Sequence, residues 1–184
     1  MRMVKAALAF VAGHRVEEVT SLADEIFDER FEGKLYDDTI AMARRHVQAG
    51  EPVWLVSAAP IELATVIARK LGLTGALGTV SEIVDGVYTG RLVGAPLHGP
   101  AKAEAVRALS EREGLDLSQC AAYSDSSNDI PMLSLVGMPV AVNPDSPLRR
   151  HARSLGWQVF DHRTGRKAVK IGLPPIGPPS PAAH

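Results

Sequence analysis

Asp125 and Asp129 stand four residues apart in the run Ala121-Ala122-Tyr123-Ser124-Asp125-Ser126-Ser127-Asn128-Asp129. The first carboxylate falls where a short, largely apolar strand would stop. A carboxylate at such a place is costly to desolvate unless its charge is offset, and a metal ion is the partner the pattern suits. Two other residues have a similar placement. Ser57 directly follows the apolar run Val53-Trp54-Leu55-Val56, and Lys102 opens the helical pattern of residues 102–112. A strand-end serine, a helix-start lysine and a strand-end aspartate suit a phosphate monoester, which carries about two negative charges near neutral pH. Ser57 and nearby backbone N–H groups would hold the phosphate oxygens. Lys102 would neutralise charge that builds in the transition state. Asp125 would ligate Mg2+, a hard cation that takes oxygen ligands and binds through one or two carboxylates plus phosphate. Asp129 would orient Lys102 or the ion's water shell. Positioning and charge stabilisation of this kind dominate phosphoryl transfer.

Each residue also has a plainer reading. Ser57 alone reads as a helix N-cap, and Lys102 as a surface lysine. Asp125 and Asp129 would cap the short helix that starts at residue 130, and Asn128-Asp129 would make a turn. The chemical reading draws on order and placement, because open α/β sheets bind ligands beyond the carboxyl ends of their strands.

The elements that would position these residues follow from hydrophobic spacing. Helices are expected over residues 3–12, 16–31 and 36–49, with Gly13 and Gly50 closing the first and third. In the second, Val16, Val19, Leu22, Ala23, Ile26 and Phe27 share a stripe, and the acidic opposite face reads as solvated. Residues 53–56 form a continuous apolar run, as in a parallel strand buried on both faces. A helix follows over 61–71. Strands over 77–84 and 87–93 flank Asp85-Gly86, a strong hairpin signal. The helix over 102–112 stops at Gly114. Then come a strand over 120–124, a short helix over 130–135, a strand over 138–142, a helix over 148–155 and a strand over 157–160. The proline-rich tail reads as disordered or loosely draped chain. Alternation of strand and helix from residue 53 onward argues an α/β fold with a mostly parallel sheet.

Composition excludes several classes. The chain has 184 residues, a length that fits one domain. Lys and Arg number 20 against 21 Asp and Glu, for a formal charge of −1, which leaves no nucleic-acid or membrane-surface footprint. The single Cys120 has no partner for an intramolecular disulfide and reads as a small core residue. No apolar run reaches the ~20 residues of a membrane span, and the first residues lack a signal-peptide layout. The expectation is a cytoplasmic, soluble protein whose partner is a small phosphorylated substrate. Oligomeric state is left open.

The order VSAAP (56–60), GPAKAEAV (99–106) and YSDSSNDIPML (123–133) resembles the haloacid dehalogenase superfamily, and within it the branch containing phosphoserine phosphatase. The hairpin EIVDGVYTGRL (82–92) and AVNPD (141–145) are similar to that branch as well. The resemblance covers roughly residues 15–163. It implies a Rossmann-like parallel core with a helical cap, and a Mg2+-dependent hydrolysis of phosphate monoesters through an aspartyl-phosphate. It puts the phosphate ligands at Ser57, Ala58 and Asn128, the charge-stabilising lysine at Lys102, the metal ligand at Asp125, and a carboxylate assisting both at Asp129. Residues 1–50 would then be a partial helical cap with a connecting helix, 51–166 the α/β core, and 167–184 a tail. Ser124-Asp125-Ser126 stands where phosphoserine phosphatases usually carry Gly-Asp-Gly. Phosphoserine, another small phosphate ester and a lipid phosphate all stay open as substrate.

The resemblance further implies a nucleophilic aspartate in an Asp-x-Asp-x-Thr motif ahead of Ser57. Residues 1–56 contain no Asp-x-Asp. Asp37-Asp38-Thr39 looks like a helix cap. Asp161, after Val159-Phe160 and three residues before Thr164, imitates the motif but has Arg163 in place of its second aspartate. The expectation is therefore a chain that lacks the family's N-terminal part and its first core strand, and that is less stable alone than a complete relative. A non-catalytic remnant that binds phosphate or a partner is the alternative. His14 and Arg15, both basic, read as a solvated turn or as phosphate-facing groups.

Overall fold

The structure is a computed structural model that describes residues 8, 11–31 and 37–161. The expected helix over 3–12 falls mostly outside these residues, as does the tail. The described residues form an α/β protein with two parallel sheets, one antiparallel hairpin and flanking helices. They divide into two compact units, one within residues 1–96 and one within 97–165.

In the first unit, helix α1 (Val16–Ile26) buries Val19, Ala23 and Ile26. The periodic pattern continues past Ile26, but the chain turns there into a π-helical stretch, Phe27–Phe31, so one expected helix is two segments. Helix α2 (Asp37–Gln48) leads, past the left-handed Gly50, to strand β1 (Trp54–Pro60). Helix α3 (Ile61–Leu71) crosses over to strand β2 (Gly75–Thr79), which pairs with β1 in parallel. Ala23, Phe27, Val66 and Ile67 form the core of this unit, with Leu55, Leu63 and Leu71 packed against it. The acidic face of α1 is solvated, as expected, and carries an exposed ion pair of Asp24 with Arg69; in the π-helical stretch that follows, Asp28 accepts from Lys70 Nζ at 2.8 Å.

The strand expected over 77–84 is two strands. Val80 is exposed between β2 and strand β3 (Ser81–Val84), and β3 pairs antiparallel with strand β4 (Val87–Leu92). Apolar patterning marks extended chain but carries no information on which neighbour each half pairs with. Asp85 and Gly86 both have positive φ, 51° and 75°. That is the type I′ turn whose twist matches the flanking strands. Residues 13–16 join this hairpin. Gly13 N–H donates to Tyr88 O at 2.9 Å, and Tyr88 N–H donates to His14 O at 3.0 Å. His14 is thus not in a solvated turn. It is 5% exposed, with Nδ1 3.2 Å from Glu18 Oε2, whereas Arg15 is exposed and pairs with Glu17.

In the second unit, helix α4 (Pro100–Glu113) ends at left-handed Gly114. Strands β5 (Ala121–Ser124), β6 (Met138–Val142) and β7 (Gln158–Phe160) form a parallel sheet in that order. A 3-10 turn (Ser127–Asp129) and helix α5 (Ile130–Leu133) connect β5 to β6, and helix α6 (Ser146–Ser154) connects β6 to β7. Helix α6 starts two residues before the expected position, because Pro147 is tolerated in a first turn and Asp145 caps it. Leu133, Ala141, Leu148 and Ala152 make the core, with Ala122, Ile130, Trp157 and Val159 against it. Cys120 lies just before β5 rather than in the core. It is half-buried and donates from Sγ to Asp116 O at 3.2 Å, and burial pushes its thiol up, away from nucleophilic thiolate.

Candidate active site

The loop after β5 and the start of α4 bring Lys102, Asp125, Asn128 and Asp129 into one polar cluster of the second unit. Gly99 makes this possible locally. It precedes α4 with φ 56° and ψ −125°, a conformation reserved for glycine, and Pro100 follows at the start of the helix, where its missing N–H is no loss. Lys102, third in the helix, therefore points back toward the 3-10 turn. Its Nζ lies 2.9 Å from Asp129 Oδ2 and 2.8 Å from Oδ1. Both residues are buried, at 9% and 7% exposure. Neither plainer reading survives, since Lys102 is not a surface lysine and the Asp129 side chain does not cap α5.

Serines supply the remaining bonds. Ser124 Oγ donates to Asp129 Oδ2 at 2.8 Å and accepts from Ser126 N–H at 3.1 Å. Ser126 Oγ accepts from both nitrogens of Asn128, at 3.3 and 3.2 Å. Glycine at 124 or 126 could make none of these side-chain bonds. Where the sequence departs from Gly-Asp-Gly, the cluster thus gains a hydroxyl on each side of Asp125.

Asp125 contrasts with Asp129. It is exposed, and among the described residues none donates to its carboxylate. Its backbone is nonetheless held, because Asp125 O accepts from Asp145 N–H at 2.8 Å. Asp145, which the sequence marked only as the end of AVNPD and gave no role, does that holding. One of its oxygens accepts from Leu148 N–H at 2.8 Å and caps α6. The other accepts from Ser127 N–H and Ser127 Oγ at 2.8 and 2.9 Å. Burial alone would push this carboxyl up, but the bonds from Ser127 and Leu148 and the charge of Arg150 hold it below its ordinary value. The signal in the sequence was Asn143-Pro144-Asp145 at the end of β6, where Asn143 takes a positive φ of 46°.

Among the described residues no group of three His, Cys, Asp or Glu side chains is gathered to hold a metal ion. The oxygen donor available is the unengaged Asp125 carboxylate. That fits Mg2+, which keeps several waters and needs one or two carboxylates besides a substrate phosphate.

Ser57 and Ala58 belong to the first unit. The strand does not stop before Ser57, as the sequence suggested, but runs to Pro60. Its pairing with β2 is regular from Trp54 to Val56 and shifts register before Pro60. Ser57 sits at that irregularity and accepts at Oγ from Ala59 N–H at 3.1 Å, leaving its own O–H free to donate. It does not cap α3. Ala58 is exposed, and its carbonyl accepts from Thr79 Oγ1 at 2.9 Å. Asp161, the imitation of a nucleophile, accepts from both terminal nitrogens of Arg149 at 2.7 and 2.6 Å.

Residues 1–134 match the sequence model of the haloacid dehalogenase-like hydrolases. The chain belongs to this family. A phosphoserine phosphatase, SerB1, of Mycobacterium tuberculosis is 58% identical over 168 residues, which are 91% of this chain and 54% of that protein. The chain spans about half the length of the first curated relatives it matches. A Bordetella pertussis protein of unknown function superposes with a TM-score of 0.79 at 33% identity, covering 86% of this chain and 72% of the other. A substrate-bound phosphoserine phosphatase superposes at 0.54 with 27% identity, covering 67% and 57%. The α/β architecture of the chain agrees with that of its solved relatives.

Proposed function

We propose that this chain carries the phosphate- and metal-handling part of a Mg2+-dependent phosphate-monoester hydrolase similar to phosphoserine phosphatase. One observation carries the reading. Lys102 and Asp129 form a buried ion pair, while among the described residues none donates to the carboxylate of exposed Asp125 beside them. Asp125 would hold Mg2+, which when bound would offset negative charge on the phosphate oxygens. Asp129 fixes the position of the Lys102 ammonium, and that ammonium would stabilise charge on the transferring group. Ser57 would donate its free O–H to a phosphate oxygen, with Ala58 and Asn128 as further phosphate ligands. Residues 1–50 as a partial cap, 51–166 as the core and a cytoplasmic location belong to the same proposal.

A second reading, a phosphate-binding chain without turnover, is favoured by the lack of any Asp-x-Asp before Ser57. The test is Mg2+-dependent release of phosphate from p-nitrophenyl phosphate by residues 1–184 and by Asp125→Asn, with both checked for folding. Turnover that falls at least about tenfold in the variant supports the hydrolase. No turnover in either, with phosphate still bound, supports the second reading. Turnover equal in both overturns the role given to Asp125.

A further inference from the structure

The peptide group that follows Asp125 is bonded at both ends. Its carbonyl accepts from Asp145 N–H at 2.8 Å, and its N–H, that of Ser126, donates to Ser124 Oγ at 3.1 Å. The next peptide group is held by the same aspartate, because Asp145 Oδ2 accepts from Ser127 N–H at 2.8 Å and from Ser127 Oγ at 2.9 Å. The orientation of these two peptides sets the backbone at Asp125 and with it the direction of the Asp125 side chain. Asp145 is itself anchored. Its Oδ1 accepts from the N–H of fully buried Leu148 at 2.8 Å and caps α6. Two residues before it, Asn143 N–H donates to Phe160 O at 2.8 Å, which ties the end of β6 to β7. A helix cap needs one acceptor oxygen. The other oxygen of Asp145 serves the loop that carries Asp125.

We infer that Asp145 is a positioning residue for the metal site, acting through Ser127 and the Asp125 backbone to hold the Asp125 carboxylate ready for a divalent cation. The inference rests on Asp125 as the Mg2+ ligand in the reading above. Asp125 is exposed, and among the described residues none donates to its carboxylate. Its direction is therefore set by the backbone rather than by bonds of its own. A ligand oriented in advance spares the ordering cost when the ion binds. Removing a group that orients a metal ligand typically costs about 10–100-fold in metal affinity. Both oxygens of Asp145 are engaged with Leu148 and Ser127, so its effect passes through the loop.

Mn2+ prefers the same oxygen ligands as Mg2+, and the paramagnetic resonance signal of the free ion reports its binding without any turnover. Residues 1–184 and four variants are titrated with Mn2+ well below their melting temperatures. Asp145→Asn keeps a carbonyl oxygen to cap α6 but presents an amide nitrogen where Ser127 donates. Its Mn2+ affinity should fall at least about tenfold. Ser127→Ala leaves the charge of Asp145 in place and removes one bond, for a loss of about threefold; it also carries the test if Asp145→Asn does not fold. Ala152→Gly weakens α6 at a residue outside the loop and should bind Mn2+ like the parent. Asp125→Asn should abolish binding. If Asp125→Asn loses the ion while Asp145→Asn and Ser127→Ala bind it like the parent, the inference is overturned and the metal site stands. A loss in Asp145→Asn but not in Ser127→Ala assigns the effect to charge, and an equal loss in Ala152→Gly assigns it to helix stability; either overturns the positioning role. A parent that binds no Mn2+, or Asp125→Asn binding it undiminished, overturns the metal role of Asp125 and the inference with it.

Discussion

The cluster after β5 assigns different work to two carboxylates four residues apart. Asp129 is buried and held by Lys102 and Ser124, so removing its partner would leave an uncompensated buried charge. Lys102→Met should therefore destabilise the protein by about 3–5 kcal/mol. Asp125→Asn, at an exposed carboxylate without a donor among the described residues, should stay within about 0.5 kcal/mol. Urea unfolding of the two variants measures the contrast, and equal losses would contradict the division of roles. Asp145 adds a pH signature. Its folded value is held below the ordinary aspartate value of about 3.9. Its contribution to stability is fully present above that pH and is lost as pH falls through the folded value. The melting-temperature gap between the parent and Asp145→Asn should be constant near neutrality and close below about pH 3.9. A gap that persists in acid would show that the bonds to Ser127 and Leu148 matter little.

Among the elements, α4 and the β3–β4 hairpin depend on single backbone positions. Gly99 occupies a region closed to residues with a Cβ, and the helix that aims Lys102 starts from it. Gly99→Ala should cost about 1–3 kcal/mol of backbone strain. It should also loosen the Lys102–Asp129 pair, seen as a shifted Lys102 Nζ resonance. A variant as stable as the parent would show that α4 can start by another path. The sequence announced the hairpin through Asp85-Gly86, because a turn with two positive φ angles restricts residue choice strongly. It did not announce the break at Val80 or the π-helical end of α1. There the same apolar spacing is compatible with more than one backbone geometry, and packing chooses between them.

For the whole molecule, two separate cores stand behind two compact units. Leu148 is fully buried in the second core, so Leu148→Ala should cost about 2–5 kcal/mol. If the units are also cooperative units, amides of Leu133, Ala141 and Ala152 should lose hydrogen-exchange protection in that variant, while those of Val66 and Ile67 keep theirs. Uniform loss across both cores would show one cooperative unit. Among the described residues no helix is long and apolar enough to cross a membrane.

By themselves, the residues determined the α/β class, the hairpin, the placement of Asp125 and Lys102 at element ends, and the family. Each of these depends on short-range rules, namely apolar period, turn chemistry and motif order. Only the tertiary structure decided that Lys102 is buried against Asp129, that no described residue donates to the Asp125 carboxylate, and that Asp145 braces their loop. These are contacts between residues 18 to 27 positions apart, or between elements, as in Ser127 with Asp145 and Lys102 with Asp129. Linear spacing carries no term for them, because burial and pairing are set by how the chain closes on itself rather than by the order in which it is written.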